Sequence, residues 1–546
     1  MRTTVAVILL GWTLAVATTV QPRAQTRGTE PRASALPTFV TSDTCMACHN
    51  SLTTTAGEDV SIGASWRASM MANSGRDPYW MAGVRREILD HPTAAAAIED
   101  ECTVCHTPMA RTLAVASGRK GEAFAHLPVP EKREPIDLLA HDGVSCAACH
   151  QIADDKLGTP ESFTGGYVVR GPMAAGRPAI YGPFRVDKGH TTIMRSSSGF
   201  EPSEATHIRQ SELCATCHTL ITTALDAEGR ELGQLPEQAM YIEWRHSAFE
   251  REQKSCQSCH MPVVTEDTPI TSVLGEPRAG LARHIFVGGN AFMLRMLNRY
   301  RTELGVVAEP QELDLSVRRT IENLQQATAR VDVGRVSHDG NRLTFDVDVR
   351  NLSGHKLPTA YPSRRAWLHV TVRDSRGRVL FESGALAPTG AIAGNDNDID
   401  PLGYEPHYSE IREPGQVQIY ESIMVDGSGA VTTGLLRGVR YVKDNRLLPR
   451  GFDKETAPSD VAVLGGARTD GDFAGGTDTV TYSVDTTAAD GRVEVDVELR
   501  FQSIGYRWAQ NLKAYDAPEP RRFVGYYDAM AAHSSEVLAH ASRSID

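Results

Sequence analysis

Cys45-Met-Ala-Cys48-His49, Cys102-Thr-Val-Cys105-His106, Cys146-Ala-Ala-Cys149-His150, Cys214-Ala-Thr-Cys217-His218 and Cys256-Gln-Ser-Cys259-His260 are five copies of one pentapeptide. Together they use all ten cysteines of the chain. Cys-x-x-Cys-His is the spacing of c-type haem attachment. The two thiols add across the haem vinyl groups, and the adjacent histidine is placed to ligate the iron from the proximal side. The expected cofactor is therefore five covalently attached haem c, with His49, His106, His150, His218 and His260 as proximal iron ligands. Redox chemistry in such a chain belongs to iron rather than to side chains.

Three other uses of Cys-x-x-Cys fit less well. Zinc sites built from two pairs leave a fifth pair unmatched and give no reason for a histidine after every pair. A thioredoxin-like dithiol occurs once, beside a βαβ pattern that is missing around these pairs. Disulfide frameworks staple small secreted domains, and this chain has 546 residues.

The spacing of the motifs shapes the expected fold. Their first cysteines are separated by 57, 44, 68 and 42 residues. That leaves little room for an ordinary core, so residues 41–290 should form a mainly helical, loop-rich pentahaem domain packed around porphyrin. Gly158 to Arg209 should be largely irregular. Asn290 reads as an N-cap for a helix over 291–304, and a second helix is expected over 313–327. These make a linking segment, 291–329. From Arg330 the apolar period changes to two, as in Thr344-Phe-Asp-Val-Asp-Val-Arg350 and Val493-Glu-Val-Asp-Val-Glu-Leu-Arg-Phe501. Turn signals at Asp339-Gly340 and Asp490-Gly491 separate such runs. Residues 330–505 are thus expected to form an antiparallel β-sandwich-like domain, followed by a helical segment over 506–546. The fold class is α+β, multidomain.

The N-terminus reads as an export signal over 1–17: Arg2, a short apolar run and a small-residue cleavage site at Ala15-Val16-Ala17. A flexible leader follows over 18–40. Export suits covalent haem attachment, which takes place outside the cytoplasm, and a periplasmic location is expected. The apolar run is short for a membrane span, so no stable membrane insertion is expected after cleavage. The net charge is −12, and loss of the single charge in residues 1–17, Arg2, makes it −13. An acidic surface disfavours nucleic acid and anionic lipid. Redox proteins are the expected partners.

Each low-spin iron needs a sixth ligand, and an iron without one is open to substrate. Thirteen histidines lie outside the motifs. The leading distal candidates are His284, beside the Gly288-Gly289 pair, His207, His141, His190, and His355 in Ser353-Gly-His-Lys-Leu-Pro-Thr359. His91, His126 and His246 are weaker candidates. His338, His369, His407, His533 and His540 read as structural or exposed. Arg364 and Arg365 could pair with haem propionates. Asp396-Asn-Asp398-Ile-Asp400 places carboxylates at alternate positions but lacks the glycine and terminal glutamate of a calcium loop.

The motifs, Trp66-Arg-Ala-Ser69-Met70-Met71, Ser211-Glu-Leu-Cys-Ala-Thr-Cys-His218 and Cys256-Gln-Ser-Cys-His-Met-Pro262 carry a family resemblance over about residues 41–300. The chain resembles the multihaem c-type cytochromes related to hydroxylamine oxidoreductase and its tetrahaem electron acceptor. The later region looks like an accessory domain of some members, with Gly354-His355-Lys-Leu-Pro-Thr359 and Asp444-Asn-Arg-Leu-Leu-Pro449 as its marks. Two departures matter. Relatives often show Trp-x-x-Ser-x-His, whose histidine ligates a haem; here that position is Met71, a further candidate ligand. Related pentahaem nitrite reductases carry Cys-x-x-Cys-Lys at the catalytic haem, and no lysine follows any pair here. The expected function is single-electron transfer between redox partners. The alternatives are an oxidoreductase acting on a small nitrogen, sulfur or oxygen compound at one open haem, and a subunit of an extracellular conductive assembly.

Overall fold

The computed structural model describes residues 38–129, 131–173 and 176–546. The expected export signal and most of the leader lie outside these residues. The motifs sit on short helices or at their ends: Asp43–Met46, Ala95–His106, Cys146–Cys149, Ser211–His218 and Cys256–His260. A single helical turn places two cysteines three residues apart on one face, so a short helix is enough for each motif.

Longer helices have sequence-encoded starts. Asp77 accepts hydrogen bonds from the Tyr79 and Trp80 amides and Pro78 is the first residue of Pro78–Asp90, a cap and a fixed φ that favour initiation. Pro310–Ala327 opens with a reciprocal Glu309/Glu312 capping box and buries Leu313, Val317 and Leu324 on one stripe. Its predecessor, Ala291–Arg299, ends earlier than expected. The Gly158–Arg209 stretch is more regular than expected. It contains the helix Lys188–Ser198 and the parallel strand pair Ala179–Gly182 and Glu201–Glu204.

Two sheets dominate the second half. One has the order Ile419–Tyr420, Arg365–Asp374, Val493–Gln502, Ser535–Ile545, with Val379–Ser383 also paired to Arg365–Asp374. The other has the order Ala329–Asp339, Arg342–Asn351, Thr477–Asp485, Glu410–Ile411. Pairing is antiparallel except for Glu410–Ile411, which runs parallel to Thr477–Asp485. Period-two alternation fixes which face is buried. Leu343, Phe345, Val347 and Val349 from one sheet and Leu368, Val370, Val495 and Val497 from the other join one core cluster. Phe345 and Tyr482 stack within it at 5.4 Å. The final segment differs from expectation: after Tyr506–Asn511 and Pro518–Asp528 the chain ends as a strand, not a helix.

Contacts cross the expected domain boundaries. Arg85 pairs with Glu519 at 2.9 Å. Both Glu87 carboxylate oxygens accept backbone amides, of Leu435 and Leu436, at 2.8 and 3.2 Å. No helix among the described residues is long and apolar enough to cross a membrane.

Candidate functional site: the five Cys-x-x-Cys-His motifs

All ten cysteines are free thiols. Among the described residues, no three cysteine or histidine ligand atoms of the motifs converge as a metal site would require.

The motifs form a contiguous group. The thiols of Cys45 and Cys146 are close neighbours, as are those of Cys105 and Cys217 and those of Cys214 and Cys256. Polar contacts reinforce these neighbours. The Ser42 amide donates to Asp142 at 2.8 Å, and the Cys256 amide donates to Ser211 Oγ at 3.0 Å.

Four motif histidines are anchored through Nδ1 to a backbone carbonyl. His49 meets Ile270 O at 2.6 Å, His106 meets Ser74 O at 3.2 Å, and His150 meets Tyr181 O at 2.6 Å. His260 meets Val287 O. This is the orienting bond usual for metal-bound imidazole, and it leaves Nε2 free. His218 is the exception, with no such bond among the described residues. Trp80 stacks on the His106 ring at 4.4 Å.

These groups are enclosed by protein and yet face space. Burial pushes the Cys149 thiol up to about 12 and holds His106 and His218 down to about 4. Cys149 and His106 nonetheless keep a partly open surface, and His218 is exposed. A cavity of about 240 Å³ adjoins the third motif, lined by Gln151 and Tyr181 among others. Thiols grouped with imidazoles whose Nδ1 is held and whose Nε2 is free suit a covalently attached, metal-bearing ligand.

Two of the distal candidates lie opposite motif histidines. The His284 and His150 ring centres are 6.3 Å apart, with planes 21° from parallel. Those of His355 and His260 are 6.2 Å apart, with planes 13° from parallel. His284 Nδ1 meets Ala282 O at 2.9 Å and His355 Nδ1 meets Lys356 O at 2.9 Å, so their Nε2 atoms are also free. Burial holds His284 down to about 4 and lowers His355. Of the glycine pair after His284, Gly289 admits Phe501 of the β region, whose ring would lie 3.0 Å from an added Cβ.

The other candidates are engaged elsewhere. His207 Nε2 meets the Ile152 carbonyl at 2.9 Å. Both nitrogens of His141 face the Arg76 guanidinium at 3.0 Å. His190 bonds Asp187 through Nδ1 and Leu274 O through Nε2. Met71 lies beside the third motif: its carbonyl accepts the Val144 amide at 3.0 Å. Gly143, at φ +64°, permits this approach, since an added Cβ would lie 2.9 Å from Met71 O. Trp66 Nε1 donates to Val144 O at 2.9 Å, which fixes the same segment.

Arg365 is not free for a propionate, contrary to expectation. It makes a bidentate pair with Asp398 at 2.8 and 2.9 Å. That pairing also turns Asp398 inward, so the Asp396–Asp400 carboxylates do not converge on a cation. Arg364 has no carboxylate partner among the described residues and donates to Thr359 O at 3.2 Å. Of the weaker histidines, His91 is buried with Nδ1 on Asp226 O at 2.9 Å and Nε2 unpartnered.

No family model and no curated protein matches this chain. A solved structure described as a penta-heme cytochrome c552 from Thermochromatium tepidum aligns with it at 17% identity and a TM-score of 0.49, covering 93% of this chain and 99% of that one.

Proposed function

We propose that this chain is an exported, periplasmic pentahaem c-type cytochrome that passes single electrons between redox proteins. The observation that carries the reading is the pair of facing imidazoles, His150 with His284 and His260 with His355, at 6.3 and 6.2 Å. Two imidazoles sharing one metal through Nε2, with bonds of about 2.0–2.1 Å, have ring centres about 6.3 Å apart. All four rings are turned by Nδ1 bonds so that Nε2 is the free nitrogen.

The ten motif cysteines would hold haem through thioether bonds, and the five motif histidines would be the proximal ligands. His284 and His355 would be the distal ligands of the third and fifth haems. His207, His141, His190 and Met71 remain candidates for the other irons, His190 and His207 after exchange of their present carbonyl partners and His141 after release from Arg76. Bound haem supplies reversible one-electron chemistry. The protein supplies the imidazoles, their orientation, and close contact between neighbouring attachment sites. Loss of Met71 ligation in Met71→Ala would show as loss of a near-infrared sulfur-to-iron band.

The test is a pyridine haemochrome count with electron paramagnetic resonance of the purified exported protein. Five haems are expected, and His284→Ala and His355→Ala should each convert one low-spin signal to high-spin. Bare polypeptide mass without Soret absorbance would refute the haem reading. Unchanged signals in both variants would refute the two distal assignments.

A second reading, catalysis at one open iron, is favoured by His218. Its ring has neither a carbonyl behind it nor an imidazole opposite among the described residues, and burial, with smaller contributions from His260 and Arg364, lowers its basicity. A high-spin ferric signal in the parent protein, perturbed by added azide, would support that reading. Five low-spin signals would exclude it.

A further inference from the structure

The two segments that mark the β region, residues 354–359 and 444–449, pack directly on each other. The Leu357 and Leu447 amides and carbonyls exchange hydrogen bonds at 2.9 Å. Around them lies a buried group of four charges. Lys356 Nζ bonds Asp444 Oδ2 at 2.8 Å. Arg446 meets both Asp444 oxygens, at 2.9 and 2.7 Å, and approaches Glu243 Oε1 at 2.9 Å. The side chains of Lys356 and Glu243 are 0% exposed. Glu243 belongs to the helix Met240–Arg245 in the motif-bearing half, and the other three residues belong to the β region.

Lys356 is pinned at three points. Its amide donates to Glu243 Oε2 at 3.1 Å, its ammonium is held by Asp444, and its carbonyl accepts His355 Nδ1 at 2.9 Å. Thr359 Oγ1 donates to the same Glu243 oxygen at 2.6 Å. Asn351 Nδ2 and Ser353 Oγ both donate to the His355 carbonyl, at 2.8 and 2.9 Å. The backbone on both sides of the imidazole is therefore fixed.

Four buried charges need a reason. Desolvation of ions is costly, and an apolar replacement of a buried ion group is often as stable or more so. Here the group is electrically balanced, two cations against two anions, and Asp444 stays ionised. Burial raises its pKa, but Arg446 and Lys356 outweigh that and hold it at about 2. What the cluster provides that apolar packing does not is directionality, because each bond has a fixed angle and partner.

We infer that the Glu243–Arg446–Asp444–Lys356 cluster is a positioning device. It sets the plane of the His355 imidazole against that of His260 and thereby tunes one redox centre from the β region. The inference rests on the haem reading above. Lys356, Glu243, Asp444 and Arg446 act through His355 and touch no reacting atom. Orientation and hydrogen bonding of an axial imidazole are among the levers by which a protein tunes its metal.

The test uses full-length exported holoprotein and Lys356→Met, with Thr359→Val as a milder second variant that deletes only one bond to Glu243. His355→Ala first identifies the paramagnetic signal of the fifth haem by its loss. In Lys356→Met that one signal should shift and partly convert to high-spin, its midpoint potential should move, and the other signals should remain. Thr359→Val should shift the same signal less, and Lys356→Arg should restore it in part. Superimposable spectra and potentials in Lys356→Met and Thr359→Val, with only a lower melting temperature, would reduce the cluster to a structural role and overturn the inference. If His355→Ala removes no signal while the haem count stays at five, the inference also falls. A haem count of zero would instead remove the reading beneath it.

Discussion

Arg365→Met should be among the most damaging single changes in the β region, with little effect on any redox centre. Arg365 is 3% exposed. It holds both Asp398 oxygens at 2.8 and 2.9 Å and donates from Nε to Gln502 Oε1 at 2.9 Å. Methionine fills much of the volume but leaves a buried carboxylate without its cation. Removing one partner of a buried ion pair costs about 3–5 kcal/mol. The stranded Gln502 oxygen adds part of the roughly 1–3 kcal/mol of an unsatisfied buried acceptor, and the two losses overlap. A total of about 4 kcal/mol corresponds to roughly a thousandfold shift in the folded-to-unfolded ratio. Asp398 also accepts the Ile392 amide at 2.7 Å, so Asn at 398 removes the charge and keeps an acceptor. The double variant Arg365→Met/Asp398→Asn should therefore regain about 2 kcal/mol relative to Arg365→Met. Urea unfolding followed by far-ultraviolet circular dichroism measures both values. A loss below about 1 kcal/mol, or an unchanged midpoint with a shifted haem spectrum, would refute the reasoning and return Arg365 to the role of a propionate partner.

Phe345→Ala should cost about 3–5 kcal/mol, because the ring is fully buried and stacks on Tyr482; the same unfolding assay reads it. Asp478 gives a pH signature. Burial pushes its carboxyl up to about 7 from 3.8, so the folded state favours the protonated form. Its contribution is intact below about pH 4 and is lost as pH rises through 7, by a few kcal/mol at most, on the order of 1.4 per pKa unit. The stability of Asp478→Asn relative to the parent should therefore rise between pH 4 and 7, and parallel pH profiles for the two proteins would refute the assignment. Gly143→Val should disturb the Met71 segment, since its backbone is at φ +64° and a Cβ would lie 2.8 Å from Ala72 O; loss of folding yield in the exported protein would be the readout.

The motifs are legible because Cys-x-x-Cys-His is a local spacing, and local spacing survives any tertiary arrangement. The helix Pro310–Ala327 was legible for a similar reason: its cap, its proline and its apolar stripe are all within one segment. The strands over 342–351 and 493–502 announced themselves by strict alternation. The strand Ser535–Ile545 did not. Its Ala- and Glu-containing sequence has helical propensity, and only Leu538 and Ile545 are buried. Pairing along Val493–Gln502 overrides that propensity.

Among the distal candidates, His284 and His355 face motif histidines, whereas His207, His141 and His190 have other partners. Their environments are built by residues far away in sequence: Ile152 for His207, Arg76 for His141, Leu274 for His190. No local pattern encodes such meetings. Lys356, Asp444 and Arg446 stood in segments that drew attention as sequence. Glu243, which ties them to the other half, lies in an ordinary amphipathic turn and carried no signal.

The helix Pro78–Asp90 sits early in the polypeptide, but its mates arrive very late. Arg86 donates to Thr433 O at 2.8 Å, Tyr515 OH donates to Asp90 at 2.8 Å, and Arg85 clasps Glu519. Closing loops of that length is slow. If the chain is exported as proposed, this helix emerges several hundred residues ahead of the segments it packs against. On that reading, an attachment enzyme would meet the thiols between positions 45 and 259 before the later half of the protein has folded.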